Sequence, residues 1–210
     1  GSPVEHRNAD PAFSRDLAGP PYRSGCERVL GLVPRSTRKY SAVGAALPDG
    51  TVYCGATQQG VTRRPTAHNV SGAGWFRAAQ ARRGFVLGEY GPDPLSGTGS
   101  LVAARPIPGP PGRPPSIMFA AIDARSFSEA TALKDAPRGT TFVLIDDRGT
   151  LLGAVPAMDE RIGRPLRDRA LAHTLLTQRR GTADVVGPDG VKRIQAFDPV
   201  GGPAGTQMLV

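Results

Sequence analysis

The chain has 210 residues, with 27 Gly and 21 Pro set against 39% hydrophobic, 6% aromatic and 21% charged residues. That length holds one large domain or two small ones, and the apolar residues fall into compact runs, which excludes disorder throughout. No stretch approaches the roughly 18–20 apolar residues that would span a bilayer, the N-terminus has no signal-peptide pattern, and the net charge of +8 comes from scattered arginine pairs (Arg63-Arg64, Arg82-Arg83, Arg179-Arg180) rather than a basic face suited to nucleic acid.

Gly1-Ser2 has the form of a cleaved-tag scar, so the chain is expected to be a segment of a longer protein. In chain order, GCERVLGLVP reads as the end of a helix stopped by Pro34. YSAVGAALPDGTVYCGA, from Tyr40 to Ala56, sets a turn at Asp49-Gly50 between two apolar runs, which is a hairpin pattern. WFRAAQARR, ending in basic residues with Gly84 at the cap, reads as a helix. FVLGEY from Phe85 to Tyr90, LVAARPI, and SIMFAAID from Ser116 read as strands. The Pro/Gly-rich PIPGPPGRPPS, Pro106 to Ser116, lies between the last two and is expected to be their hairpin loop. ARSFSEATALKDAP predicts a short connecting helix over 124–136.

The same order then recurs. TTFVLIDDRGTLLGA, Thr140 to Ala154, is a second hairpin whose Gly149-Thr150 lies 99 residues beyond Gly50-Thr51. LRDRALAHTLLTQRR ends at Gly181, 97 residues beyond Gly84, and TADVVG follows as a strand from Thr182 to Gly187. Phe197-Asp198-Pro199-Val200 matches Ala104-Arg105-Pro106-Ile107, now 93 residues apart because the later loops are shorter, and GTQMLV parallels SIMFAAID. Each copy reads strand, strand, helix, strand, strand, strand, and such repetition decides the architecture. The expected fold class is α+β: two tandem PAS-like modules, each an antiparallel sheet with helices, preceded by an N-terminal helix. The expected divisions are 1–36 for the N-terminal segment and helix, 37–123 for the first module, 124–136 for the connecting helix and 137–210 for the second module.

In this order the segments YSAVGAALPDGTVYCGA, GWFRAAQARRGFVLGEY, LVAARPI, FVLIDDRGTLLGAVP with RIGRPLRDRAL, and GPDGVKRIQAFDPV resemble the double Cache family. These are extracytoplasmic sensor domains of bacterial membrane-bound histidine kinases, diguanylate cyclases and chemoreceptors. The resemblance runs from about Cys26 to the C-terminus. It implies a membrane-distal module that holds the ligand, a membrane-proximal module that relays the signal, flanking transmembrane helices outside this segment, and a cytoplasmic output domain. The chain departs from the family pattern in one place: where many relatives have an Asp-Arg pair whose arginine holds a ligand carboxylate, it has Gly72-Ala73-Gly74 before Trp75-Phe76.

A PAS-like pocket lies between the inner sheet face and the helix, which nominates Trp75, Phe76, Arg77, Gly88, Tyr90, Ala103 and Arg105 as its walls. Trp75 and Tyr90 read equally as core aromatics. Arg105, in an apolar run, needs a carboxylate partner or a wet surface, and strand alternation leaves its facing open. Asp123 either pairs with Arg105 or caps the helix after it, the cap being preferred. Cys26 and Cys54 match no metal spacing and His6, His68 and His173 are dispersed, so no metal site is expected. The even cysteine count allows one disulfide, Cys26 to Cys54, in an oxidising compartment, with two buried free thiols as the alternative. No nucleophile elbow or Walker loop is present, Gly97 and Gly99 lack the rest of a dinucleotide site, and Asn69-Val-Ser71 is read as a chance glycosylation match, so no catalytic residues and no cofactor are expected.

The function that the resemblance implies is sensing of a small organic molecule by the periplasmic part of an inner-membrane receptor, non-enzymatic in itself. A carboxylate ligand is favoured by Arg77 and Arg105, no nucleic-acid partner is expected, and a homodimer is left open. The alternatives are a cytosolic PAS-type cofactor binder, against which stands the lack of a well-placed haem-ligand histidine, and a basic nucleic-acid module. The apolar ending Met208-Leu209-Val210 carries the expectation that a transmembrane helix follows, with the 124–136 helix transmitting the signal between modules.

Overall fold

The computed structural model of the chain describes residues 20–62, 65–82, 84–109, 115–130, 139–167, 169–178, 180–186, 190–200 and 208–209. It opens with helix α1 (Pro20–Leu30) and the short helix α2 (Val33–Ser36). Pro34 is not the stop expected from the sequence. The helix breaks at Gly31-Leu32, and Pro34 sits in the first turn of α2, where a missing backbone N–H costs nothing.

The first copy is a six-stranded antiparallel sheet of β1 (Tyr40–Ala46), β2 (Val52–Thr57), β3 (Gly60–Val61), β4 (Val86–Pro92), β5 (Gly99–Ile107) and β6 (Ser116–Asp123), in the order β3-β2-β1-β6-β5-β4. Helix α3 (Gly74–Arg82) covers one face, placing Phe76 and Ala79 on Ala42, Val52, Val102, Ala104, Phe119 and Ala121. The other face takes Val43, Ala45, Cys54 and Ala56 against Leu30 of α1, with the half-buried Cys26 and Val33 packed alongside. Covering both faces explains why β1 is buried almost end to end rather than at alternate positions. Burial of a side chain such as Phe76 stabilises the fold by about 2–3 kcal/mol. Cys26 and Cys54 are joined, Cα to Cα 6.2 Å, which ties α1 to β2. The long β5–β6 hairpin pairs as far as Ile107 opposite Ser116, and residues 110–114 of the expected hairpin loop lie outside the described residues.

Helix α4 (Arg125–Ala130) follows β6, and the remainder of the expected connecting helix, 131–136, lies outside the described residues. The second copy contains β7 (Phe142–Ile145), β8 (Leu151–Val155), α5 (Arg169–Gln178), β9 (Gly181–Val186), β10 (Lys192–Phe197), β11 (Pro199–Val200) and β12 (Met208–Leu209). Its sheet order is β11-β12-β7-β8, with β10-β9 as a separate pair. This is the order β5-β6-β1-β2 of the first copy, with the counterpart of β5 split at Asp198. There the carboxylate accepts two N–H groups from Arg180, at 3.0 and 2.8 Å.

The duplication reaches the hydrogen bonds of the two hairpin turns. Gly50 N–H donates to Leu47 O at 2.9 Å, and Gly149 N–H to Asp146 O at 3.0 Å. Val52 N–H donates to His68 O and Val70 N–H to Gly50 O, and Leu151 to Arg164 O and Leu166 to Gly149 O repeat the pattern. Both turns need a left-handed residue, φ 86° at Gly50 and 78° at Gly149, which glycine adopts without steric cost. One exchange breaks the symmetry: the buried Leu47 of the first turn becomes Asp146 in the second. The expected α+β architecture is the one observed.

Candidate ligand-binding cleft

The site begins with a defect in the β4–β5 ladder. Leu87 lies opposite Ala103 and Tyr90 opposite Leu101, so Gly88 and Glu89 together face the position of Val102. Such a one-residue bulge bends the strand and re-aims the side chains after it. Trp75, in the first turn of α3, passes over Gly88 so closely that a Cβ there would stand 2.7 Å from its own Cβ. The indole is held edge-on to Phe76, centroids 5.9 Å apart, and tilted on Phe119 at 5.3 Å. One flank of Trp75 is thus fixed by the core while the residue remains half-buried.

The opposite wall comes from the second copy. Asp146 and Asp147, in the β7–β8 turn, face β4 across a cleft of about 360 Å³ that is also lined by Ala78 and Arg82 of α3 and by Glu89 and Tyr90 of β4. Arg148, next in the turn, donates from Nη2 to Glu89 Oε1 at 2.5 Å and so links the two copies beside the cleft. Asp146 is only 3% exposed. Its Oδ1 accepts the backbone N–H groups of Arg148 at 2.9 Å and Thr150 at 2.8 Å, which fixes the carboxylate within the turn. The charged lining residues are three carboxylates and one guanidinium.

Of the residues nominated from sequence, Trp75, Gly88 and Tyr90 meet in this cleft. Phe76 does not line it. At 1% exposure it fills the space between α3 and the sheet, together with Phe119, Val102 and Ala104, where the pocket was expected. Arg77 lies on the exposed side of α3. Ala103 and Arg105 alternate with Val102 and Ala104, which face α3, so they point to the other side of the sheet, and Arg105 is exposed there. The wet-surface alternative for Arg105 is therefore the one realised. Asp123 faces Ser100 in the ladder, away from Arg105, and its Oδ1 accepts the Arg125 N–H at 3.0 Å at the start of α4, with an ion pair to the Arg125 guanidinium at 3.1 Å. It is a helix cap and not a pocket wall.

Sequence reasoning missed Arg82, Glu89, Asp146 and Asp147. The one available signal was the acidic pair inside FVLIDDRGT, at the place where the first copy has Leu47-Pro48. A second cleft, about 500 Å³, is lined by Pro48, Pro106, Pro108 and Pro115 with Gln80, Ile107 and Ile117, and no charged group lines it.

No protein-family model matches the sequence, and no curated protein matches it. Solved structures do match. An extracellular ligand-binding receptor from Desulfohalobium retbaense superposes with a TM-score of 0.66 at 13% identity, over 94% of this chain and 35% of that one, so the chain spans about a third of that receptor. The extracellular domain of rpHK1S-Z16, assigned as a histidine kinase, also gives 0.66, at 19% identity over 94% of this chain and 80% of that one. The sensory domain of the Campylobacter jejuni chemoreceptor Tlp3 (CcmL), solved with isoleucine bound, gives 0.62 at 15% identity, over 95% and 80% of the two chains. At such identities the likeness is one of fold.

Proposed function

We propose that this chain, which has the fold of extracellular sensor domains found in chemoreceptors and in proteins assigned as histidine kinases, is the extracytoplasmic small-molecule-sensing part of a transmembrane signalling receptor. The observation that carries the reading is the Trp75–Tyr90 cleft: on this fold it offers an aromatic wall with a few convergent polar groups, the usual make-up of a small-ligand site. The sensor binds and does not catalyse. Its output, of the histidine-kinase, diguanylate-cyclase or chemoreceptor kind, belongs to the cytoplasmic side of the full receptor. Among the described residues no helix is long and apolar enough to cross a membrane, and the reading places the membrane-spanning parts elsewhere in the receptor. The isoleucine held by the Campylobacter sensory domain supports a ligand of amino-acid size. Arg77 and Arg105 lie outside the cleft, so the carboxylate preference drawn from them is set aside.

Thermal-shift screening against a panel of organic acids and amines tests the reading. A ligand at a hundred times its Kd stabilises the folded state by about 2.7 kcal/mol, which in a domain of this size raises Tm by about 5–10 °C. A panel in which no member moves Tm would remove the sensing function.

A further inference from the structure

The second copy leaves one sheet face bare. Strands β9 and β10 pair only with each other, Val186 opposite Lys192, Asp184 opposite Ile194 and Thr182 opposite Ala196. Residues directly opposed in a ladder share a face, and alternate positions along each strand return to it. One face of the pair carries Ala183 and the buried Phe197 into the second core, against Leu171 and Leu175 of α5. The other carries Val186, Lys192, Asp184, Ile194, Thr182 and Ala196, all exposed among the described residues. Ile194, at the middle of this face, is 82% exposed, more than any other large apolar residue described, and Val186 beside it is 60% exposed. The matching position of the first copy is Leu101, 93 residues earlier, and it is fully buried. The repeated strand thus keeps a core residue where the second copy supplies no core for it.

The charges on this face fit a second copy of it. Val186 and Ile194 occupy one diagonal of the pair and Asp184 and Lys192 the other, each diagonal about 7–8 Å long. Neither Asp184 nor Lys192 has a hydrogen-bond or ion-pair partner among the described residues. A two-fold axis lying near the apolar diagonal sets Ile194 on Ile194 and Val186 on Val186, and it brings each Asp184 to the Lys192 of the other copy. Two ion pairs then flank an apolar centre, the self-complementary patch that a two-fold interface requires. Edge-to-edge pairing of β9 would leave the same face in water and so does not account for it. A lipid surface would favour cations alone, whereas here each cation is matched by an acid. We infer that the outer face of the β9–β10 pair is a docking surface for a second copy of this chain. The surface is small against the roughly 1,200 Å² that a stable specific interface buries, so the dimer is weak and depends on concentration.

Sedimentation velocity of the whole chain, from about 10 µM to about 1 mM at about 0.15 M salt, tests this, because that salt screens the +8 of each chain beyond about 8 Å. The wild-type chain should pass from monomer to dimer over the range. Ile194→Asp changes an exposed position, so it should keep the wild-type Tm while weakening the dimer at least tenfold, roughly the loss of a central apolar contact. Asp184→Lys and Lys192→Asp each set like charges opposite one another and should weaken self-association too. An equimolar mixture of those two variants should form a heterodimer, because each then meets its opposite. The inference falls if the wild-type chain is monomeric throughout, if Ile194→Asp self-associates as the wild type does, or if the mixture associates no more than either variant alone. A monomer that instead binds phosphatidylglycerol vesicles, and loses that binding in Ile194→Asp, would give the face to a lipid surface and overturn the inference. None of these outcomes touches the sensing function, which the thermal-shift panel reads separately.

Discussion

The ring of Tyr90, on β4 of the first copy, lies against the backbone of Gly163 in the loop after β8 of the second, where a Cβ would stand 2.2 Å from the ring. Gly163 also has φ 79°, and its N–H donates to Leu151 O at 2.7 Å, so the loop position is held from both sides. The two copies meet at a place where no side chain can be added.

Gly163→Ala should therefore destabilise the domain by about 2–3 kcal/mol, combining a left-handed backbone cost of about 1 kcal/mol with the clash against Tyr90. In a Tyr90→Ala background the clash is gone and only the backbone part should remain. Urea denaturation of the four members of the cycle measures the coupling, and equal effects of Gly163→Ala in the two backgrounds would show that the ring and the loop do not press on each other.

The cysteine pair should stabilise the fold when oxidised. It closes a loop of 28 residues, for which chain entropy gives about 3–4 kcal/mol. Non-reducing peptide mapping of protein exported to the periplasm should recover a Cys26–Cys54 linked peptide, and dithiothreitol should lower Tm. Two free thiols in the exported protein would contradict this.

Asp93 should matter far more to stability than Asp123. It is 3% exposed, its Oδ2 accepts the Ser41 hydroxyl at 2.9 Å, and its Oδ1 accepts the N–H groups of Leu95 at 2.9 Å and Ser96 at 2.7 Å. Ser41 Oγ is also 2.8 Å from Ser100 Oγ, so the carboxylate anchors the β4–β5 turn to β1 through buried hydroxyls. Asp93→Ala leaves several of these groups unpaired and should cost about 3–5 kcal/mol. Asp123→Ala removes a half-buried cap of α4 and should cost about 1 kcal/mol. Chemical denaturation of both variants gives the comparison.

The Arg148–Glu89 pair is a different case. Its side chains are 65% and 60% exposed, so water and salt screen it, and Arg148→Ala should change stability by less than about 1 kcal/mol. That small difference should shrink further between low and high salt. A loss of several kcal/mol would mean that this pair, and not the Tyr90 contact, holds the copies together.

Arg77→Ala and Arg105→Ala should leave the affinity for any cleft ligand within about twofold, because both side chains are exposed and neither lines the cleft. Calorimetry with whichever compound the thermal screen identifies checks this. A tenfold loss in either variant would place the ligand elsewhere on the domain.

The duplicated architecture is legible in the residues alone, because its signals are local. Apolar runs around Gly50 and Gly149 specify two hairpins whose turns need a left-handed residue, and basic helix ends before Gly84 and Gly181 mark the helices. The sequence also singled out Trp75, Gly88 and Tyr90, which share one short segment. Which faces are covered, and what stands across from them, emerges only once the chain is folded. In LVAARPI apolar residues fall on both faces, with Leu101 and Val102 both buried, so the run carries no sign of direction; the second face is covered over β1 and β2 but open at Arg105, which points away from α3. The cleft joins Glu89 to a turn 59 positions later, and its acidic wall depends on Asp146 replacing Leu47 in a repeated turn that, by chance of packing, faces β4. No periodicity records such a meeting, because it is set by how two separately patterned units dock and not by the pattern of either.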